Sequence, residues 1–522
     1  MVGSREVNAG QRRLFPGRDD LTDFQSIADL VRGHAAVKPD TPAITVEGES
    51  LTWAELVLRA GRVAATLQRE DVPVGGTIAI ISYVNVDYVA LYLGALMAGV
   101  AVAPMPPSAT PEQLQAMVGD SAAALLFLDA ANAEALTHIE FPAREIRIEA
   151  LDDWLEATPA DPVRIPEDEL LKLPFNIIYS SGTTGVPKGI IHSWAMRWSH
   201  LAGGAAAGYG PDSVTLLGTP LYSNTTLVAA LPALAWGGHL VLMPKFDARR
   251  FLELAQLHRA THSMLVPVQY RRIMDLPDFD GFDLSSYQLK FCTSAPFPAE
   301  LKADVLKRWP GGLVEYWGMT EGGGGTALIA HAYPDKLHTI GQPLPGAELR
   351  IVTEDGRDAE TGEVGEIVGY SATATMTGYA NRPDATRATQ WQHPDGRIFI
   401  KTGDLARRDA DGFIELVGRA KDMIISGGFN IYPIDIEQVL AEHPAVKDVA
   451  VVGIPSRAWG ESPVAFVVAP GADTEELRAF TNERVGKVQR LAAVQLVDEL
   501  PRSAIGKILK REIRDQWQGD IP

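Results

Sequence analysis

The sequence of 522 residues predicts an α/β protein with large doubly wound sheets and a smaller α+β domain after them. Apolar strand-like segments alternate with helical segments along the first part of the chain, which is the pattern of a doubly wound sheet. The stretch from Glu348 to Leu416 is rich in strand-like segments, Gly and Asp, and we expect a small β-barrel-like subdomain there. The last part, of about a hundred residues, is large enough to hold its own core. The predicted domains are therefore residues 1–420 and 421–522.

The first elements follow from local periodicity and turn signals. Residues 26–36 carry helical periodicity. The segment PAITVEGESLTWAEL indicates two short strands that meet at Glu47–Gly48 and run into a helix after Thr52. Thr77–Ser82 and Leu125–Asp129 are mostly apolar, which predicts buried strands with helices between them.

The segment after residue 420 has an α/β pattern of its own. Ile431–His443 is predicted to be a helix, because Ile436, Val439 and Leu440 fall on one face. The strands VKDVAVVGIP and SPVAFVVAP follow, then a helix over TEELRAFTNERVGKV and a last strand over AAVQLVDELP.

Composition and charge narrow the classes of function. The net charge of −19 disfavours binding to nucleic acid or to a membrane surface, both of which need a basic excess. The single cysteine, Cys292, rules out a disulfide within the chain and a thiolate metal site, and it fits a reducing, cytoplasmic compartment. The N-terminal residues contain no apolar run typical of a secretory signal. The most apolar run, Tyr88–Ala103, is too short to cross a membrane, so we expect a buried helix that leads into a strand.

The stretch YSSGTTGVPKG, at Tyr179–Gly189, places glycines, hydroxyl groups and one lysine after the apolar segment FNII. Exposed backbone N–H groups, hydroxyl donors and the charge of Lys188 suit phosphate oxygens, and the glycines allow close backbone approach. A Walker A loop is excluded, because proline replaces its second glycine and glycine follows the lysine. On its own, the stretch indicates either a phosphate-binding loop or an ordinary polar turn.

Four further segments decide between these alternatives: WGMTE at 317–321, KTGDLARRDADGFIELVGRAKD at 401–422, SGGFNIYPIDIE at 426–437 and PRSAIGK at 501–507. In order and spacing, the set resembles the adenylate-forming superfamily, which includes aryl- and coumarate-CoA ligases. The resemblance implies an AMP-forming acyl-CoA synthetase, an acid–thiol ligase that uses ATP, Mg²⁺ and coenzyme A. Such an enzyme joins a small carboxylic acid to AMP with release of pyrophosphate, then transfers the acyl group to a thiol.

The resemblance also implies roles for the nucleotide-binding residues. Glu321 would hold Mg²⁺, which prefers carboxylate and phosphate oxygens. Trp317 would lie beside adenine, Thr320 would contact the α-phosphate, and the backbone around Ala295 would line the adenine site. The phosphate loop would bind the β- and γ-phosphates, with Thr184 also taking a catalytic part, through Ser180, Ser181, Gly182, Thr183, Thr184 and Lys188.

Further roles fall near and beyond the predicted domain boundary. Asp404 would accept hydrogen bonds from the two ribose hydroxyls, and Arg419 would contact the ribose or the phosphate. Lys507 would catalyse adenylation by offsetting the negative charge between carboxylate and α-phosphate. Because Lys507 belongs to the C-terminal domain, that domain would have to be mobile and to close on the nucleotide. Its hinge would be Lys421.

In relatives the rotated domain presents another face, which lines a tunnel for the pantetheine thiol. Here Gly427 and Gly428 would allow a narrow chain to pass close to the backbone, although the pair is also typical of a plain turn. Coumarate ligases carry lysines where this sequence has Ile425 and Gly427, so the cationic contacts to coenzyme A are not assigned.

The acid is the least determined part of the prediction. Tyr222, Thr225, Gly322 and Gly323 fall at positions that would line the acyl pocket. Small residues replace bulkier ones there, and the glycine run would remove side chains from one wall. These changes favour an aromatic or other bulky hydrophobic acid; a flexible loop with no selective role is the alternative for the glycines.

Three other functions are compatible with the same motifs. The enzyme could load the thiol of a carrier protein in trans, although the chain has no Asp-Ser-Leu attachment site of its own. It could be a luciferase-like oxygenase, which no motif separates. A non-catalytic nucleotide-binding relative is disfavoured, because Glu321, Asp404, Arg419 and Lys507 are all retained. The oligomeric state, a homodimer included, and the regulation are left open.

Overall fold

The computed structural model describes residues 24–155, 161–180, 187–503, 506–519 and 521. These residues form two compact units. The first unit contains the chain up to Leu337 together with Pro343–Glu348 and Gly369–Ile400. The second contains His338–Gln342, Leu349–Val368 and the chain from Lys401 onward. The domain boundary at Lys421 stays a prediction.

The largest sheet has nine strands, and parallel pairing runs without interruption from Pro42–Val46 across to Gly312–Gly318. Antiparallel neighbours flank this parallel part on both sides. The spatial order is Gln342–Pro343, Gly325–Ile329, Gly312–Gly318, Leu289–Cys292, His262–Leu265, Val214–Leu217, His239–Leu242, Pro42–Val46 and Glu49–Thr52.

A second sheet, of seven strands, carries the predicted phosphate loop. Its inner strands are parallel, whereas Lys188–Ser193 runs antiparallel to Pro174–Ser180, so that these two strands form the arms of a hairpin. The spatial order is Gly378–Tyr379, Lys188–Ser193, Pro174–Ser180, Ala101–Met105, Thr77–Ile81, Leu125–Leu128 and Arg144–Arg147.

The helices of the first unit connect these strands and cover the sheets. Thr52 begins its helix with a capping box, because its hydroxyl accepts from the backbone of Glu55 and the Glu55 carboxylate accepts from the backbone of Thr52. The α-helices are Ile27–Val37, Trp53–Arg69, Val86–Met97, Pro111–Asp120, Ala130–Ala135, Leu151–Leu155, Glu167–Leu170, Trp194–Leu201, Asn224–Ala235, Ala248–Leu257, Pro267–Met274, Ala299–Arg308 and Pro383–Ala388, with 3₁₀ turns at Ile148–Ala150 and Phe279–Gly281.

A buried ion pair joins the helix Ala299–Arg308 to the largest sheet. The Lys302 ammonium contacts the Glu315 carboxylate, and the two side chains are only 2% and 5% exposed. The same ammonium donates a hydrogen bond of 2.7 Å to the carbonyl of Leu337. Burial raises the pKa of Glu315 to about 7, and Lys302 opposes that rise.

Lys302→Met is expected to destabilise the protein by about 3–5 kcal/mol, because Glu315 is left buried without its cation. Chemical denaturation measures the change. In the double variant Lys302→Met/Glu315→Leu no charge is left unpaired, and most of the lost stability should return. A double variant as unstable as the single one would show that the loss comes from packing.

The strand-rich segment forms a third sheet, of five strands. Its order is Ala347–Val352, Gly365–Ser371, Ile398–Arg408 and Gln390–Gln392, with Ile414–Arg419 also paired to Ile398–Arg408. A fourth sheet, with three helices packed on its strands, makes up the end of the second unit. Its order is Phe429–Ile431, Ile424–Ser426, Gly460–Val468 and Asp448–Ser456, with Ala493–Leu496 parallel to Gly460–Val468. The helices here are Pro433–Ala441, Thr474–Asn482 and Lys510–Asp515, with 3₁₀ turns at Ala420–Asp422 and Lys487–Gln489.

The predicted α/β fold class, with large N-terminal sheets and a smaller α+β part, is confirmed. Two helices are shorter than predicted. The helix expected from Ile431 begins at Pro433, because Ile431 is still paired in a hairpin strand. The helix expected over TEELRAFTNERVGKV ends at Asn482, whose side chain instead exchanges hydrogen bonds with the backbone of Leu491.

Candidate active site

The two arms of the phosphate-loop hairpin hold its ends next to each other. Ser180, at the end of one arm, is directly paired with Lys188 on the other. The Lys188 ammonium lies 5.1 Å from the centre of the Tyr379 ring, a cation–π contact. The intervening Ser181, Gly182, Thr183 and Thr184 lie outside the described residues. The structure therefore defines the base of this loop.

Glu321 follows the strand Gly312–Gly318, and its carboxylate has a defined partner. The Tyr379 hydroxyl donates a hydrogen bond of 2.7 Å to Oε1 of Glu321. Burial and the nearby carboxylate raise the pKa of Tyr379, so the phenol keeps its proton. The same tyrosine thus contacts both Lys188 and Glu321, which brings the predicted phosphate-binding lysine and the predicted metal ligand into one site.

The glycines after Glu321 allow the backbone to fold tightly against a neighbouring segment. Gly322 and Gly323 have φ of +76° and +83°, in the region that favours glycine. A Cβ on Gly322 would lie 2.2 Å from the carbonyl oxygen of Ala374, and one on Gly323 would lie 2.9 Å from that of Gly369. These two positions are held in close backbone packing, and their predicted part in the acyl pocket stays a prediction.

The backbone of Thr320 is held by His192, a residue that no sequence motif indicated. Nε2 of His192 donates a hydrogen bond of 2.7 Å to the Thr320 carbonyl. Burial, and then the charge of Arg197, lower the pKa of His192 far below its ordinary value, so the ring is neutral. His192 comes shortly after the phosphate loop, but nothing in IIHSWAM distinguishes it from a core histidine.

The predicted acyl and adenine residues also meet in the first unit. The hydroxyls of Thr225 and Ser294 are 2.5 Å apart, which places Thr225 beside the segment that contains Ala295. Ser294 has φ of +83°, a strained value for a residue other than glycine. Burial raises the pKa of Tyr222, and the Ser108 hydroxyl opposes that rise. Trp317 is the last residue but one of the strand Gly312–Gly318, shortly before Glu321 in the chain.

In the second unit, Asp404 and Arg419 are direct partners on antiparallel strands. Nε of Arg419 lies 2.8 Å from Oδ1 of Asp404, whose side chain is 8% exposed. The preceding backbone is also fixed, because the N–H of Gly403 donates to Glu366 at 3.0 Å and the hydroxyl of Thr402 donates to the carbonyl of Ile367 at 2.8 Å. The carboxylate is therefore held in one orientation.

Lys507 lies within electrostatic range of this pair. Burial, together with the charges of Arg419 and Lys421, lowers the pKa of Lys507 to about 8, against the opposing charges of Asp404 and Asp422. Burial also lowers the pKa of Lys421. The second unit thus gathers the predicted ribose-binding carboxylate, its arginine, the predicted hinge lysine and the predicted catalytic lysine.

Gly427 and Gly428 form the turn of the hairpin between Ile424–Ser426 and Phe429–Ile431. Their φ values are +57° and +82°, which suits a two-residue turn. The N–H of Gly427 donates to the carbonyl of Trp459 at 2.8 Å, and a Cβ on Gly427 would lie 2.8 Å from the Trp459 ring. The structure thus contains the plain turn that the glycine pair also indicated. The predicted contact of these glycines with a pantetheine chain stays a prediction.

The surroundings of Glu321 fit the prediction that this residue supplies the one protein carboxylate that binds Mg²⁺. Among residues that the structure describes, no group of three His, Cys, Asp or Glu side chains could enclose a metal ion. One carboxylate together with phosphate oxygens and water is the arrangement that this hard cation uses with nucleotides. Tyr379 occupies Oε1 of Glu321 and orients the carboxylate, as partners of metal ligands do.

Sequence comparison gives the family of the chain. The profile described as AMP-binding enzyme matches residues 31–380, and that described as AMP-binding enzyme C-terminal domain matches residues 435–507. The chain belongs to the AMP-binding enzyme family.

Curated relatives resemble the chain over nearly its whole length. A feruloyl-CoA synthase from Amycolatopsis sp is 32% identical over 494 residues, which cover 92% of this chain and 97% of the relative. An indoleacetate–CoA ligase from Aromatoleum aromaticum is 30% identical over 513 residues, with 94% and 97% covered. ATP-bound MatB from Rhodopseudomonas palustris has a TM-score of 0.81 at 27% identity, with 94% and 98% covered.

The comparisons confirm several predictions made from the sequence. The chain is an AMP-forming acid–thiol ligase of the acyl-CoA synthetase type, and the family implies ATP and coenzyme A. The carrier-loading and oxygenase alternatives are not favoured. In the described part of the chain, no helix combines the length and hydropathy needed to cross a membrane.

Proposed function

We propose that this enzyme activates an aromatic or similarly bulky carboxylic acid as its acyl-adenylate and then forms the CoA thioester, using the residues assigned above. The observation that carries the residue roles is the grouping of Asp404, Arg419 and Lys507 in one unit, next to the hinge candidate Lys421. Relatives named for feruloyl-CoA and for indoleacetate support the aromatic class.

In the first step, a carboxylate oxygen of the acid attacks the α-phosphorus of ATP, and the bond to the pyrophosphate oxygen breaks. Lys188 and the loop between residues 180 and 188 bind the departing phosphates. Asp404 accepts hydrogen bonds from the ribose hydroxyls, while Arg419 keeps that carboxylate in position. Lys507, in its protonated form, stabilises the negative charge that both reactants bring together.

Glu321 would hold Mg²⁺, which supplies positive charge for the phosphate oxygens. The part of the protein is to present that carboxylate in a fixed orientation. The Tyr379 hydroxyl does this through its hydrogen bond to Oε1, and the tight backbone after Glu321 limits movement of the segment.

In the second step, the CoA thiolate attacks the acyl carbonyl, and AMP leaves with the electron pair of the acyl–phosphate bond. We propose that the C-terminal domain, residues 421–522, turns about Lys421 between the two steps. Lys421 lies in the short 3₁₀ turn Ala420–Asp422, which links the third and fourth sheets along the chain. The turn at Gly427–Gly428 would then border the pantetheine chain.

Incubation of the full-length protein with ATP, Mg²⁺ and a panel of acids, with and without CoA, tests this function. We expect pyrophosphate from aromatic monocarboxylic acids such as cinnamate and ferulate, and thioester, identified by mass, only when CoA is added. Acetate should react more than about tenfold more slowly, because it fills little of the pocket. Acyl-adenylate that never becomes thioester would contradict CoA as the acceptor.

A further inference from the structure

The helix Trp194–Leu201, which follows the phosphate-loop hairpin, buries an arginine without a counter-ion among the described residues. The Arg197 side chain is essentially inaccessible, with 1% of the residue exposed. Its Nε donates a hydrogen bond of 2.8 Å to Oδ1 of Asn176. Both terminal nitrogens are buried and have no hydrogen-bond partner in the described part of the chain.

The surroundings of Arg197 are polar but neutral. Asn176 Nδ2, His192 Nδ1, His200 Nδ1 and the Tyr92 hydroxyl are also buried without a described partner. Burial lowers the pKa of His200 to about 3, so this ring carries no charge at neutral pH. The Phe175 ring lies 6.0 Å from the guanidinium carbon, which offers a cation–π contact but no hydrogen-bond acceptor for the terminal nitrogens.

The guanidinium nevertheless stays charged. Burial lowers the pKa of Arg197 only to about 10, which is well above neutral pH. A buried charge without a partner is strongly unfavourable, and a guanidinium with two unused terminal nitrogens is suited to bind a carboxylate through two parallel hydrogen bonds. The Arg197 guanidinium can therefore bind an anion, which the described part of the chain does not supply.

The helix that carries Arg197 packs against residues predicted to line the acyl pocket, because it contacts both Gly322 and the helix Asn224–Ala235, which contains Thr225. Met196, which precedes Arg197, has Cε only 3.0 Å from the position that a Cβ on Gly322 would take. Buried tyrosines also connect Arg197 electrostatically with Tyr222, because Arg197 opposes the rise that burial causes in the pKa of Tyr92, and both Tyr92 and Tyr222 add to the rise that burial causes in the pKa of Tyr88.

We propose that Arg197 binds a second carboxylate of the acyl substrate, at the end remote from the carboxyl that reacts with ATP. The preferred acids are then bulky dicarboxylic acids. This inference rests on the proposed function and narrows its substrate class. The remote carboxylate pairs with Nη1 and Nη2 of Arg197, so that binding neutralises the buried charge and orients the other carboxylate towards the α-phosphate.

Matched acid pairs test the inference on the full-length enzyme. Each pair consists of an aromatic dicarboxylic acid, such as 4-carboxycinnamic acid or its 3-carboxy isomer, and the methyl ester of its ring carboxyl. The two members differ in remote charge and little in shape. We expect kcat/KM to be roughly 100-fold higher for at least one diacid than for its ester, the effect of one charge-assisted contact in a buried site. No preference for any diacid would overturn the inference.

Two variants assign the preference to Arg197. Arg197→Met should lower the ratio of diacid to ester by roughly 100-fold, whereas Arg197→Lys, which keeps the charge, should retain part of it. Asn176→Asp places a carboxylate of the protein against Nε and should lower the ratio by at least about tenfold, because an internal anion then competes with the substrate. Asn176→Asp also serves if Arg197→Met fails to fold, which thermal melting reveals.

The outcomes separate this inference from the proposed function. If cinnamate gives CoA thioester but the diacids show no advantage, the proposed function holds and the role of Arg197 is wrong. If no acid gives pyrophosphate, the proposed function itself is wrong. A diacid preference that survives both Arg197→Met and Asn176→Asp unchanged would show that another group binds the second carboxylate.

Discussion

Lys507→Ala is expected to slow acyl-adenylate formation by roughly 100- to 1,000-fold, because one fixed cation no longer stabilises the charge of the two reacting anions. Pyrophosphate release, measured with saturating ATP and acid, reports this step. Supplied acyl-adenylate and CoA should still give thioester at close to the wild-type rate, since the proposed rotation about Lys421 would have moved Lys507 away from the reacting atoms. The two measurements together separate loss of one catalytic group from loss of the folded domain.

Lys447→Ala provides a matched control, because Lys447 is an exposed lysine of the same unit whose described hydrogen bond is made by its backbone. It should change neither rate. If Lys507→Ala slowed both half-reactions equally, the account in which Lys507 serves only the first step would be wrong.

The pKa of Lys507 predicts the pH dependence of the same step. Burial and the charges of Arg419 and Lys421 lower this pKa to about 8, and only the protonated form carries the catalytic charge. The rate of adenylation should therefore fall as pH rises through about 8, while formation of thioester from supplied acyl-adenylate should not show that fall. Lys507→Arg stays protonated over this range and should lose the descending limb. A descending limb that persists in Lys507→Arg would assign it to another group.

The fold followed from the sequence because its signals are local. Thr52 and Glu55 form a capping box within one turn, and the apolar run Tyr88–Ala103 divides into the buried helix Val86–Met97 and the buried strand Ala101–Met105. Where prediction failed, a distant contact decided. The helix from Thr474 ends at Asn482, whose side chain bonds with the backbone of Leu491, a partner that helical periodicity does not include.

Residues of the candidate site that belong to long motifs were predicted from the sequence. Residues that reach the site only through contacts in space were missed. Asp404 and Arg419 stand in one motif, and the structure pairs them. Tyr379 lies 58 residues from Glu321 along the chain, and in MTGYAN it resembles a core aromatic residue. Arg197 was missed for a related reason, because an arginine in SWAMRWSHL normally indicates the exposed face of a helix.

The second large expected effect on the rate of adenylation concerns Glu321 and its hydrogen-bond partner Tyr379. Glu321→Gln should lower the rate of adenylation by roughly 100-fold, because a neutral amide attracts the metal ion and the phosphate charge of its complex far less well. It should also raise the Mg²⁺ concentration that gives half the maximal rate. The Gln side chain keeps the size of Glu and can still accept the hydrogen bond from Tyr379, so the backbone around Gly322 and Gly323 should be undisturbed.

Tyr379→Phe separates the ligand from the residue that positions it. It removes only the hydrogen bond to Oε1, and we expect a smaller effect, about tenfold in half-saturation by Mg²⁺. In the double variant the two effects should not add, because without the carboxylate the hydroxyl of Tyr379 has no ligand to orient. Mg²⁺ titrations of pyrophosphate release give all four values. If Glu321→Gln reached half its maximal rate at the wild-type Mg²⁺ concentration, the metal would be held elsewhere, and the hydrogen bond from Tyr379 would serve only to fix the glycine segment.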